Sequence, residues 1–133
     1  MKRRREFMAA AAGLAAAATP VAAAPSGKVK APGGYRIGNI YYSSGLAAKG
    51  ADIKEQTTAV LKKHSENLEA QGSSLDNVVK LTAFLADVKG EKPAFNAAYA
   101  EFFKKDAPAR TAIGAIFPDT ETRVEIELVA WVP

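Results

Sequence analysis

The sequence contains few side chains that can do chemistry, and their types limit the reactions. Among 133 residues there is no cysteine and one histidine, His64. Thiolate nucleophiles, cysteine-ligated metals, disulfides, a lipoprotein anchor and histidine-rich metal sites are therefore excluded within one chain. Arginine and carboxylate side chains remain, among them Arg110, which follows Pro108 at the start of one β-prone run, and Glu125 and Glu127 in another. A guanidinium can bind a carboxylate through two parallel hydrogen bonds, and a carboxylate can orient a water and accept its proton.

These residues also have ordinary structural interpretations. Arg110 could pair with a surface carboxylate. Glu125 and Glu127 alternate with apolar residues over 124–128, which is also the pattern of a strand with one solvated face. His64 lies on the apolar face of a predicted helix, where a packing role is favoured. The residue types alone leave the catalytic roles open.

The positive charge is concentrated at the N-terminus. The chain has 18 Lys+Arg against 14 Asp+Glu, a formal net charge of +4, of which residues 1–23 carry 4 − 1 = +3 and the remainder 14 − 13 = +1. Arg4-Arg5-Glu6-Phe7-Met8, followed by an alanine-rich run and an A-x-A-like site, resembles a twin-arginine signal peptide. We therefore predict a cleavable signal over residues 1–23, passage through the twin-arginine translocase, and a periplasmic or otherwise exported protein without a membrane anchor. The alternative is an alanine-rich helix that belongs to the fold.

Behind the signal, the pattern predicts a flexible tail over residues 24–34 and one domain over residues 35–133. The nearly neutral domain, without aromatic residues between its lysines, does not indicate a nucleic-acid partner. The expected elements are a hairpin around Gly38-Asn39, a helix over Asp52–Gln71 with Asp52 as its cap, a strand over Val78–Ala86, a helix that begins at Pro93 and ends near Phe103, and a hairpin of strands Arg110–Ile116 and Arg123–Val132. This order predicts an α+β fold with two helices on one face of a mixed sheet.

Four strings in this order resemble the Rid family, the RidA/YjgF reactive-intermediate deaminases. They are Gly72-Ser73-Ser74-Leu75-Asp76-Asn77-Val78-Val79-Lys80, the N-x-x-Y-x-x-F-F pattern of Asn96–Phe103, the P-A-R-T of Pro108–Thr111, and the V-E-I-E of Val124–Glu127. The resemblance covers Tyr35 to Pro133. It implies a chorismate-mutase-like α+β subunit in a homotrimer, with ligand sites in the clefts between subunits.

The same resemblance assigns roles to five residues. Arg110 would bind the substrate carboxylate, Glu125 would handle the attacking water, and Ser44, Asn96 and Tyr35 would contribute to substrate binding. The implied activity is cofactor-independent, metal-free hydrolytic deamination of small enamine or imine acids to 2-oxo acids and ammonia, as in a 2-iminobutanoate/2-iminopropanoate deaminase. The alternative is a non-enzymatic trimer of the same family that binds small carboxylates or proteins.

The predicted C-terminal hairpin gives a geometric expectation for this site. It would place Arg110 opposite about Val129, so that Glu125 would lie four residues further along, roughly 13 Å away at the rise of a strand. One small substrate could not easily touch both side chains of one subunit. We therefore expect a site shared between neighbouring subunits, as the resemblance implies.

Overall fold

The computed structural model describes residues 27–133; the predicted signal peptide and the first residues of the predicted tail lie outside this range. The described elements, in chain order, are β1 (Val29–Ala31), β2 (Gly34–Ile37), β3 (Ile40–Ser43), α1 (Ile53–Glu69), a 3-10 turn (Leu75–Asn77), β4 (Val78–Leu85), α2 (Val88–Phe102), β5 (Ala109–Gly114) and β6 (Val124–Trp131). No helix in this part of the chain is long and apolar enough to span a membrane.

The strands form one six-stranded mixed sheet in the order β1-β2-β3-β6-β4-β5. All neighbouring strands are antiparallel except β4 and β5, which are parallel and joined through α2. A parallel pair requires such a crossover connection, and the helix then packs on the sheet. The expected α+β fold, with two helices on one face of a mixed sheet, is confirmed.

The core lies between the two helices and one face of the sheet. The α1 helix begins where the Asp52 side chain accepts a hydrogen bond from the Glu55 amide at 2.9 Å, and Gly72, with a positive φ of 79°, follows its C-terminal end. The first feature is the predicted cap, and the second agrees with a predicted helix that ends at Gln71. Alternate residues of the central strands β4 and β6 face the helices and are fully buried, among them Leu81, Ala83, Leu85, Val124, Ile126 and Ala130.

The N-terminal region departs from the predicted tail. Residues 29–31 form strand β1, paired with β2 in the register Val29↔Arg36. The turn between these strands contains Gly33 at φ 69°, and the buried Tyr41 hydroxyl donates to the Pro32 carbonyl at 2.6 Å. The expectation failed because three residues of strand carry too short a pattern to be seen without their partner. The hairpin at Gly38-Asn39 is confirmed, with Ile37 paired to Ile40 and Gly38 at φ 55°.

Two predictions for the C-terminal half are wrong. β5 and β6 are not a hairpin, because β4 lies between them and pairs with both. The second helix begins at Val88, five residues before Pro93, because the Asp87 side chain caps it by accepting from the Gly90 amide at 3.0 Å. Pro93 is consequently inside the helix.

Candidate active site

Arg110 is held on the helix-covered face of the sheet, at its β5 edge. Its guanidinium donates to the Asn96 side-chain oxygen at 2.9 Å. Its central carbon lies 4.8 Å from the centroid of the Tyr99 ring and 5.5 Å from that of Phe95. The aromatic rings attract the cation and restrict its rotamers, so α2 fixes the guanidinium while the edge position keeps it half-exposed. The structure therefore brings together two of the predicted site residues, Arg110 and Asn96.

Tyr99 also belongs to this cluster, although the family resemblance assigns it no role in the site. It is only 8% exposed, and its hydroxyl has no hydrogen-bond partner among the described residues. Burial raises the pKa of Tyr99, while the nearby Arg110 charge opposes that shift. The phenol is therefore neutral near pH 7 and serves as the surface on which the guanidinium rests. Its spacing of three residues from Asn96, one helical turn, was the available signal.

Glu125 belongs to a second cluster, near the start of β6. An added Cβ on Gly45 would lie 3.1 Å from the Glu125 carboxyl carbon and 3.3 Å from Oε2, so the carboxylate rests against the backbone of the loop that follows β3. Leu46 holds this loop to β6 by exchanging two backbone hydrogen bonds with Ile126, at 2.9 and 3.0 Å. Ser44 is exposed beside Gly45, with its amide bonded to the Gly33 carbonyl at 2.8 Å. The structure thus places the Ser44 loop and Glu125 together.

The two clusters lie on opposite faces of the sheet. Arg110 pairs with Leu81, which pairs with Leu128, not with Val129 as the predicted hairpin required. Glu125 is three residues from Leu128 and has the opposite side-chain orientation, since strand side chains alternate. Two strand spacings and three residues separate the two Cα atoms by roughly 14 Å. The expectation that one substrate cannot easily touch both side chains of one subunit therefore stands, although the pairing behind it was wrong.

Tyr35 lies with neither cluster. It is 41% exposed on the open face of the sheet, where the register runs Tyr35↔Tyr42↔Val129. Val129 is four residues from Glu125 along β6. The ammonium of Lys28 lies 4.5 Å from the centroid of the Tyr35 ring. Within one chain, Tyr35 is therefore placed away from both the guanidinium and the carboxylate.

The described residues contain side chains that can bind a small organic anion, but no set of metal ligands. No group of three or more His, Asp or Glu side chains within residues 27–133 is arranged to hold a metal ion. The chemistry visible in these residues is that of a fixed cation over aromatic rings and a carboxylate against a loop. Such parts can bind a small anion and activate a water.

The fold and these two clusters define the class of protein: a chorismate-mutase-like α+β domain with a guanidinium fixed over aromatic rings on one face of its sheet and a carboxylate packed against a loop on the other. The family model described as Endoribonuclease L-PSP matches residues 20–132. The chain belongs to this family, which is the Rid/YjgF family that its motifs resemble.

Individual relatives agree with this assignment. RutC family protein PH0854 of Pyrococcus horikoshii is 39% identical over 88 residues, 66% of this chain and 68% of that one. The human 2-iminobutanoate/2-iminopropanoate deaminase is 38% identical over 88 residues, 66% of this chain and 63% of that one. The crystal structure of yeast Mmf1 superposes with a TM-score of 0.71 at 30% identity, covering 86% of this chain and 98% of that one.

Proposed function

We propose that this protein is a cofactor-independent hydrolase of small 2-imino acids and their enamine tautomers. The reaction is R–C(=NH)–COO⁻ + H₂O → R–C(=O)–COO⁻ + NH₃. Water adds to the imine carbon, and the proton it loses passes through a carboxylate to nitrogen, which gives a carbinolamine. The hydroxyl proton is then transferred to nitrogen by the same carboxylate, and the C–N bond breaks to release ammonia as the carbonyl forms. The named activity of the human relative supports this reaction class.

The observation that carries the proposal is that Arg110 is fixed in place but has no carboxylate partner among the described residues. Within the described residues, the one side-chain ion pair joins Arg123 to Glu91, and Arg110 has no carboxylate partner there. One guanidinium nitrogen is bonded to Asn96, which leaves most of the five N–H donors for a ligand. A half-buried cation fixed over two rings, with free donors in a planar fork, is suited to bind the carboxylate of an imino acid. That contact would orient the imine carbon for attack.

Glu125 is the proposed proton acceptor, and it requires a second subunit. Because Arg110 and Glu125 of one chain face opposite sides of the sheet, we propose that a homotrimer joins the Arg110 cluster of one subunit to the Glu125 cluster of its neighbour. The open sheet face supports assembly, since it exposes a set of large apolar side chains that a monomer would leave in water: Tyr35, Ile37, Ile40, Tyr42, Ile113 and Trp131. Ser44 and Tyr35 would reach substrate only across such an interface.

The test generates imino acids with an amino-acid oxidase in the presence of semicarbazide, with and without the protein truncated to its predicted mature start. We expect faster loss of imine with the protein and a loss of at least tenfold in kcat for Glu125→Gln. Failure to accelerate the loss of any imine tested would overturn the hydrolase. Binding of a 2-oxo acid without turnover would instead support the non-enzymatic carboxylate-binding alternative. Light scattering tests the trimer, and a monomer would remove the shared site.

The family description also names an endoribonuclease. The one histidine of the chain, His64, is fully buried with its ring bonded to a backbone carbonyl. It is therefore not placed to act on an RNA backbone, and no arrangement in residues 27–133 favours that activity over hydrolysis of an imine.

We further propose that residues 1–23 direct export by the twin-arginine route. The support is the sequence alone, through Arg4, Arg5 and Phe7 at the spacing of that signal. Replacing both arginines by lysine should leave uncleaved precursor in the cytoplasm, measured by fractionation and mass. Normal export of the double variant would show that another route applies.

A further inference from the structure

Gln56 is a buried side chain that connects three segments around Glu125. It is 2% exposed and lies on α1. Its Nε2 donates to the carbonyls of Gly50 at 3.2 Å and Glu121 at 2.9 Å, while its Oε1 accepts from the Arg123 amide at 2.7 Å. Because both the N–H group and the oxygen of this buried amide are hydrogen-bonded, removing any of these bonds leaves an unpaired polar group and costs free energy. Gln56 therefore connects the loop after Gly45, through Gly50, to the loop before β6, through Glu121 and through Arg123, the residue that precedes β6.

His64 makes a similar connection eight residues further along α1. It is fully buried, and its Nε2 lies 2.8 Å from the carbonyl oxygen of Ile126. A carbonyl only accepts, so Nε2 carries the proton. The same Ile126 oxygen accepts from the Leu46 amide at 2.9 Å. His64 therefore holds β6 at the point where the Gly45 loop is attached.

The two contacts bracket Glu125. Eight residues of α1 span about 12 Å, and the three residues from Arg123 to Ile126 span about 10 Å of strand, so one helix face follows this part of β6. The amide contact precedes Glu125 by two residues and the imidazole contact follows it by one. Each of the two side chains also secures, directly or through Ile126, the loop against which the Glu125 carboxylate rests.

We propose that Gln56 and His64 are positioning residues that hold the backbone of β6 on both sides of Glu125, and the Gly45 loop beside it, in the geometry that Glu125 needs to orient water. This inference rests on the proposed role of Glu125. The Arg110 cluster is built on α2 and β5. Within the described residues, neither Gln56 nor His64 forms a hydrogen bond with that cluster. Their loss should therefore impair the chemical step and leave carboxylate binding unchanged.

The experiment compares Gln56→Leu with a matched control, Gln71→Leu. Gln71 follows the C-terminal end of α1, and its side chain donates only to the Asn67 carbonyl, at 2.9 Å, within its own segment. We expect Gln56→Leu to lower kcat for imine hydrolysis by at least about tenfold, with KM within about threefold, because small displacements of catalytic groups cost large factors. We expect Gln71→Leu to resemble the wild type in both constants.

A second pair of variants separates hydrogen bonding from packing at His64. His64→Leu removes the donor, whereas His64→Gln keeps an N–H that can reach the Ile126 carbonyl. We expect kcat to fall in His64→Leu and to recover in His64→Gln. This pair decides the proposal if Gln56→Leu does not fold.

Amide hydrogen exchange by NMR provides a readout that does not need turnover. The Leu46 amide, bonded to Ile126, should exchange at least tenfold faster in Gln56→Leu and His64→Leu, while amides of β4 and β5 keep their protection. Unchanged kcat in folded Gln56→Leu, or equal losses in Gln71→Leu, would overturn the proposal. If the wild type hydrolyses no imine, the proposed function fails; positioning of the Glu125 loop then stands or falls on the Leu46 exchange alone.

Discussion

Replacing Arg110 by lysine separates the guanidinium fork from its positive charge. Lysine keeps a cation near the Tyr99 and Phe95 rings but offers a point charge, where arginine offers a planar pair of donors. In the wild type one nitrogen is committed to Asn96, so the remaining donors must bind the substrate carboxylate. A lysine ammonium that reaches the substrate would make one such bond.

The expected loss in kcat/KM follows from the loss of one hydrogen bond between the side chain at position 110 and the charged substrate carboxylate. Such a bond contributes about 1.5 to 3 kcal/mol, which corresponds to roughly a 10- to 150-fold loss in kcat/KM. In the proposed role Arg110 binds the substrate both before and during the reaction, so most of the loss should appear in KM. The effect on folding should be smaller, because Arg110 is half-exposed and water can replace the lost contact with Asn96.

The assay is imine trapping with semicarbazide, with KM and kcat measured for the wild type, Arg110→Lys and a matched control, Arg36→Lys. Arg36 is half-buried on β2 and donates to the Gly38 carbonyl at 3.3 Å, at the other end of the sheet. We expect the control to keep its KM. A KM of Arg110→Lys equal to that of the control would refute the carboxylate-binding role.

Three further predictions concern the surroundings of these groups. Gly45→Ala would place a Cβ 3.3 Å from the Glu125 Oε2 and should lower kcat by about threefold to tenfold, measured by imine trapping, with a melting temperature close to the wild type; an unchanged kcat would contradict the close packing. Asn96→Asp would give Arg110 an internal carboxylate that competes with substrate, and should raise KM more than Asn96→Ala does. Burial lowers the pKa of His64, and its bond to a backbone carbonyl opposes this only in part. In the unfolded chain the imidazole binds a proton as the pH falls through about 6.5, whereas in the folded chain it stays neutral to lower pH. As the pH is lowered from about 6.5 towards the pKa of the folded state, the free energy of unfolding should therefore decrease by up to about 1.4 kcal/mol per pH unit. Urea denaturation between pH 7.5 and 5 should show this slope in the wild type and a smaller one in His64→Leu.

The elements that the sequence predicted well are those specified by neighbouring residues. The α1 helix has an apolar stripe, a cap at Asp52 and a stop at Gly72, and all three act within a few residues of chain. The hairpin at Gly38-Asn39 is equally local. In contrast, the partner of β5 depends on where α2 returns the chain, and the spacing of Arg110 and Glu125 gives no sign that β4 lies between their strands.

The candidate site divides in the same way. The motif pattern pointed to Arg110 and Asn96, and the structure joins them because β5 and α2 are consecutive elements of one crossover unit. The aromatic spacing of α2 indicated burial for Tyr99 but could not show that its ring also faces Arg110. The contacts of Gln56 and His64 with β6 link residues more than 60 positions apart, so no local pattern could reveal them.

The placement of the two clusters has a consequence for how activity depends on assembly. Each cluster is complete within its own elements: α2 and β5 fix the guanidinium, while α1, β6 and the Gly45 loop fix the carboxylate. If the proposed roles are right, a monomer should retain carboxylate binding through Arg110 and lose hydrolysis, because Glu125 of the same chain lies on the opposite face of the sheet. Dilution below the concentration at which the proposed trimer dissociates should lower turnover while 2-oxo acid binding persists, whereas a site complete within one chain would lose neither. The proposed site therefore makes binding and chemistry separable in experiment, with the contact between subunits as the element that joins them.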